Sequence, residues 1–199
     1  MSSVIAICNL ALSNVGKTNI NSIDEAGAEA LACRQFYAHT RDLLLQGYPW
    51  SFAGKTQSLA ATVNAKKGKW AYAYQMPTDC LMIRSVRSAY SEVDMIDPAN
   101  TDSSAWHEIE GGMIYTNISP AFLRYTWALT DPARFPPMFQ EALAWHLSVR
   151  LAMPLTRDPK VRADAYQMAA MATAQAQMLD ANQERHTSDI PSELVGARA

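Results

Sequence analysis

The stretch Val161-Arg-Ala-Asp-Ala-Tyr-Gln-Met-Ala-Ala-Met-Ala-Thr-Ala-Gln-Ala-Gln-Met-Leu179 decides the fold class. Val161, Ala165, Met168, Ala172, Gln175 and Leu179 alternate spacings of four and three, a heptad seam interrupted by one polar glutamine. Ala169, Ala170, Ala174 and Ala176 leave the other faces small and uncharged. After Asp164 few charges remain to form the i, i+4 pairs of a solvent-facing helix. Small residues on several faces call for neighbours on several faces, and other subunits are expected among them. Asp158 and Pro159 supply an N-cap and a first-turn proline, so the helix is predicted from there to about Arg185.

Working back, Pro136 and Pro137 open a helix predicted to run to Met153 and to end at Pro154. Its polar arc (Gln140, Glu141, Ala144, Ser148) is narrow, so it needs cover on several sides. At the other end of the chain, Val4, Cys8, Ala11 and Val15 mark an amphipathic helix over residues 3–15, stopped by Gly16. Ser22-Ile-Asp-Glu25 reads as a capping box for a helix to Gln46 with the stripe Ala26, Ala30, Cys33, Tyr37 and Leu44. Between these helices the pattern changes. Residues 105–118 read as a hairpin on Gly111-Gly112, residues 122–129 as a half-buried strand, and 56–63 and 81–88 as two further strands. Residues 91–104 read as a loop.

The expected fold is therefore mainly α. Helices from residues 1–49 and 131–185 form a bundle, residues 50–130 form an inserted small antiparallel β lobe, and 186–199 form a tail or arm. With 199 residues, 32 of them alanine and 10 methionine, the chain is long enough for one core. A net charge of −2 argues against binding by blanket phosphate neutralisation. Three cysteines argue against a disulfide framework and for a reducing compartment. The apolar run from Val4 to Leu12 is too short for a transmembrane span.

Catalytic and metal signatures are missing from the sequence: it has no phosphate loop, no His-Glu-x-x-His, no Cys-x-x-Cys and no Gly-x-Ser-x-Gly. We expect no catalytic, cofactor-binding or metal residues. Cys8 and Cys33 lie on apolar stripes and read as buried thiols, and His146 as a core or interface histidine. Glu108 and Glu110 project from one strand face, and such a pair could serve glycoside hydrolysis if its pKa values were split. A solvated hairpin face is the plainer reading. Lys66, Lys67 and Lys69 beside Trp70 read as a solvated turn or a rim contact. The aromatics Trp50, Phe52, Trp70 and Tyr72 exceed what a small lobe needs and suggest interface anchors. With Met168, Met171, Ala172 and Met178 of the last helix, they form the expected interface set.

Taken together, the segments are familiar. Ile7-Cys-Asn-Leu-Ala-Leu-Ser-Asn-Val-Gly16, Glu29-Ala-Leu-Ala-Cys-Arg-Gln-Phe-Tyr37 and Tyr48-Pro-Trp-Ser-Phe-Ala53 resemble the opening helices of the tail tubular protein A family of short-tailed bacteriophages. Tyr72-Ala-Tyr-Gln-Met-Pro-Thr-Asp-Cys80, Phe135-Pro-Pro-Met-Phe139 and Leu151-Ala-Met-Pro-Leu-Thr156 are similar to later blocks of that family, in the same order. The resemblance covers about residues 5–180. It implies a structural head-to-tail adaptor in the virion neck, made in the host cytoplasm. Such an adaptor forms a homo-oligomeric ring of about twelve copies between the portal protein and a tail nozzle protein of the tail tubular protein B type. DNA passes through its lumen without specific binding, no membrane is involved, and no catalytic residue carries over. Two other readings stand beside it: a carbohydrate hydrolase using Glu108 and Glu110, and a helical interaction module unconnected with a virus.

Overall fold

Ser3 opens the first helix, its hydroxyl accepting the amide of Ala6 at 3.1 Å, and α1 runs Val4–Asn14. Gly16, at φ 67°, ends it in the left-handed conformation that glycine adopts without strain. The amides of Gly16 and Lys17 close back on the carbonyls of Ser13 and Leu12 at 3.0 and 2.9 Å, the stop expected at this glycine. The structure, a computed structural model, describes residues 3–88 and 107–183. The expected loop 91–104, the start of the hairpin at 105 and the tail 186–199 lie outside those residues.

The second helix starts later than the capping box suggests. Glu25 accepts the amides of Asn21 and Ser22, both at 2.8 Å, so the return bond of the box exists. The Ser22 hydroxyl, however, accepts from Asp24 at 3.2 Å and closes a turn. Gly27 is then extended (φ −99°, ψ 156°), and α2 begins beyond it, Ala28–Gln46. Ala26 is left outside the helix and exposed, while Ala30, Cys33, Tyr37 and Leu44 are buried as the stripe requires.

The long helices differ from expectation in two places. Pro154 does not end α3, which runs Pro137–Thr156. Its missing amide falls in the last turn, where one lost hydrogen bond is tolerated. The stop comes from Arg157 at φ 56°, whose amide bonds the Met153 carbonyl at 3.1 Å. Ala144 and Ser148, placed on the polar arc, are fully buried. The Ser148 hydroxyl bridges to Asn14 and to the Ala11 carbonyl, fastening α1 to α3.

Asp158 caps the following helix by accepting the Lys160 amide at 2.8 Å, and α4 spans Pro159–Gln183. The buried seam of α4 is not the expected heptad but Ala165, Ala169, Ala172, Ala176 and Asp180. Alanines let the backbone of α4 lie close against α3, an approach that methionine and leucine side chains would block. Met168 and Leu179 consequently face outward, 40% and 42% exposed.

Among the described residues, six strands make two small antiparallel sheets. The first joins β1 (Gly54–Ser58), β6 (Ala121–Trp127) and β3 (Cys80–Ser88) in the order β1-β6-β3. The second joins β2 (Tyr72–Gln75), β5 (Met113–Thr116) and β4 (His107–Glu110) in the order β2-β5-β4. The β4–β5 turn has Gly111 and Gly112 at φ 58° and 76°, the pair of positive angles that matches the twist of a hairpin. The sheets bury Tyr74 and Ile114 against Val86, Leu123 and Tyr125. With 50% of the described residues in helix and 21% in strand, the fold is mixed α/β; the mainly α expectation undercounts the sheets.

The helical core and the lobe meet at Tyr48-Pro-Trp-Ser-Phe-Ala53. Trp50 is 1% exposed, donates from Nε1 to the Leu44 carbonyl at 2.9 Å, and packs edge-on to Phe139 at 5.0 Å. One residue on, Ser51 gives its amide and hydroxyl to the two oxygens of buried Asp180, at 2.9 and 2.6 Å. Asp180 thus ties the end of α4 to the exit of α2. Asp180→Ala leaves the Ser51 donors without their acceptor and is expected to cost about 2–3 kcal/mol, read from urea unfolding; Asp180→Asn recovers part of that loss.

Candidate interaction surface

Of the eight residues expected at interfaces, the structure keeps three inside the chain. Trp50 and Ala172 belong to the helical core, and Trp70 packs with Ala73 and Tyr115 beneath the second sheet. Phe52 is half-buried against Phe135 and Phe139. Trp50 and Phe52 are the core of the junction and Trp70 belongs to the lobe's own packing, which accounts for these three within the chain. The other four reach solvent. Tyr72 lies on the lobe, while Met168, Met171 (52%) and Met178 (61%) line one flank of α4. Leu179 extends that flank, so four large apolar side chains share one exposed arc. On the lobe, Val63 and Ile109 are exposed as well.

The carboxylate pair has a different environment from a hydrolytic one. Glu108 and Glu110 do share a face, but the loop before β2 folds over it. Lys66 reaches both, at 2.6 Å to Glu108, and Lys69 reaches Glu108 at 2.7 Å. Trp70 adds an Nε1 donor at 2.8 Å, and Lys66 sits 4.9 Å from the Tyr115 ring centre. Hydrogen bonds from Lys66, Lys69 and Trp70 hold the Glu108 carboxyl down at about 2. A general acid needs the opposite shift. Lys66 and Lys69 are not free in a solvated turn; they fasten the loop to the hairpin, while Lys67 stays exposed.

A second surface went unnoticed in the sequence. α2, α3 and α4 frame a groove in two connected stretches of about 340 and 450 Å³. His146 and Arg150 of α3 line both stretches, with Leu43 at one end and Met153, Arg162 and Tyr166 at the other. Arg150 and Arg162 have no carboxylate partner among the described residues. They stand twelve positions apart in sequence and only the α3–α4 turn brings them together, so no local motif marks them.

His146 is the titrating group of the groove. The Thr173 hydroxyl donates to the Ala169 carbonyl at 2.8 Å, so at 2.9 Å it accepts from His146 Nε2, which fixes the tautomer. Burial, and then the charge of Arg150, lower the His146 pKa from 6.5. The cysteines are free thiols; Cys8 and Cys33 are fully buried, and the Cys33 hydrogen bond and burial push Cys8 upward. No described group of His, Cys, Asp and Glu is arranged to hold a metal ion. No described helix is long and apolar enough to cross a membrane.

The histidine generates a pH prediction. Its folded pKa lies below the unfolded value, so its contribution to stability is complete above pH 6.5 and is lost as pH falls below that. Urea midpoints at pH 7.5 and 5.5 are expected to fall for the native chain and to fall less for His146→Gln; equal losses would remove His146 as the cause.

Set against known proteins, the chain matches no family model and no curated protein sequence.

Proposed function

We propose that this protein is a structural adaptor of a short-tailed phage virion, assembling as a ring of about twelve copies between portal and tail nozzle. The observation that carries this reading is the exposed arc of Met168, Met171, Met178 and Leu179 on α4. A helix whose alanine seam is spent on α3 and whose opposite flank still carries large apolar groups suits side-by-side packing with a second copy. Methionines fit such a contact because their flexible chains adapt to the surface they meet.

Two further features support it. The lobe also exposes single apolar side chains, Val63, Tyr72 and Ile109, apart from the helical arc, which leaves surface for a second partner. The net charge of −2 suits a lumen that must not hold passing DNA. The ordered blocks from Ile7 to Thr156 add the family resemblance. The lysine clamp on Glu108 weighs against the carbohydrate-hydrolase reading.

The test is assembly. Purified protein mixed with portal particles should form a complex of defined stoichiometry by light scattering and electron microscopy. A chain that stays monomeric alone and also ignores portal overturns the proposal. Met171→Glu with Met178→Glu should alter folding stability by less than about 0.5 kcal/mol yet abolish the assembled ring. Unimpaired assembly of that variant would remove the α4 arc from the contact.

A further inference from the structure

Two surfaces of α4 stay open in the folded chain, and their chemistry is complementary. One is the groove shared with α2 and α3, where Leu43, Met153 and Tyr166 are exposed among Arg150 and Arg162. The other is the methionine arc. At 100° per residue Asp164 falls on that arc, one turn before Met168. It is exposed and has no ion-pair partner among the described residues. The groove thus offers apolar side chains with two guanidinium groups that lack a carboxylate, and the arc offers apolar side chains with a carboxylate that lacks a cation. We propose that the groove of one copy receives the Asp164–Met178 arc of the next copy, head to tail; the inference rests on the adaptor reading and names the contact between its subunits.

Angle and length favour a second copy as the occupant. Chains repeating head to tail in a closed ring need two different surfaces, turned apart by about 150° for twelve copies. Around α4, the groove residues Arg162, Tyr166, Thr173 and Gln177 and the arc residues Met168, Met171 and Met178 are centred about 160° apart. The groove wall on α4 runs from Arg162 to Gln177, about 22 Å at 1.5 Å per residue. The arc from Asp164 to Met178 measures about 21 Å on the same scale.

Symmetry then fixes which residues meet. Copies related by rotation about one axis stand at the same height, so with α4 along that axis each residue meets its own level on the neighbour. Asp164 arrives between Arg162 and Tyr166. Met168 and Met171 arrive level with Arg150, which lines both stretches of the groove and so lies between Tyr166 and Thr173. Met178 arrives at the Gln177 end, where Leu43 and Leu44 form the wall. Lys160, one turn before Asp164, falls past the Arg162 end. A contact of arc with arc would instead leave the arginines of both copies without a carboxylate.

The test is complementation between two variants, under the conditions in which the native chain assembles, with portal present where it serves as template. Met171→Glu with Met178→Glu spoils the arc and keeps the groove; Arg162→Glu with Tyr166→Ala spoils the groove and keeps the arc. All four positions are exposed, so both variants should fold, which circular dichroism checks. Neither variant alone should form rings. Their equimolar mixture should give pairs, one chain of each, that stop at twice the 22.0 kDa chain mass after cross-linking. A charge swap checks the level. Asp164→Arg and Arg162→Glu should each raise the concentration for half-assembly about tenfold, and both in one chain should restore it. Residues two apart on a helix do not face each other, so such rescue arises between copies. A groove variant that assembles like the native chain gives the groove to another occupant and overturns the proposal while the adaptor reading stands. A mixture without pairs, or a swap without rescue, does the same. A native chain that neither self-assembles nor binds portal overturns both.

Discussion

The bond from Asp180 to Ser51 is the constraint on which the arrangement of the two halves depends. A carboxyl group 6% exposed is costly to bury unless its oxygens are satisfied, and Ser51 satisfies both. Asp180 therefore fixes the rotation of α4 about its own axis, because no other angle brings it to Ser51. It also fixes the chain direction where α2 hands over to the lobe. Trp50, immediately before Ser51, is held by the Leu44 carbonyl and the Phe139 ring, and its own carbonyl accepts from Arg84 of β3 at 2.5 Å. Helices and sheet are thus joined within two residues.

Once the rotation of α4 is set, the rest of its surface follows. Ala165, Ala169, Ala172 and Ala176 line up with Asp180 and take the contact with α3. A seam of methyl groups buries little area per residue, so close approach and length must compensate, and α4 at 25 residues is the longest helix in the described chain. The same rotation turns Met168, Met171 and Met178 away from the core. The alanine excess thus serves packing within the chain, and the exposed methionines are what remains for contact with others.

Much of this was legible in the sequence, and the misses have definite causes. Gly16, Gly111-Gly112 and Asp158-Pro159 announced their turns and caps because each requires a backbone geometry that few residues supply. The α4 seam was misread because size was taken as the mark of burial. Two stripes of four-and-three spacing run along this helix, and the choice between them was made by Asp180, a polar residue that hydrophobic periodicity ignores. Ser148 was placed outside for the same reason, although its hydroxyl is needed at the α1–α3 contact. Trp50 and Trp70 looked surplus because the lobe was counted alone, whereas Trp50 serves the helical core. The groove was illegible, since Arg150 and Arg162 meet only across a turn that itself rests on Arg157 in the left-handed region.

The geometry of α4 also bears on whether its two outer surfaces compete. At 100° per residue, Arg162, Tyr166, Thr173 and Gln177 fall on one side of the alanine seam, and Met168, Met171 and Met178 fall on the other. The groove wall and the methionine arc are therefore separated by the face that α3 covers. A neighbour packed on the methionines would leave Arg150 and Arg162 accessible. One helix thus serves its own core and keeps two outer surfaces apart, because three sets of side chains at helical spacing share its length without sharing a face.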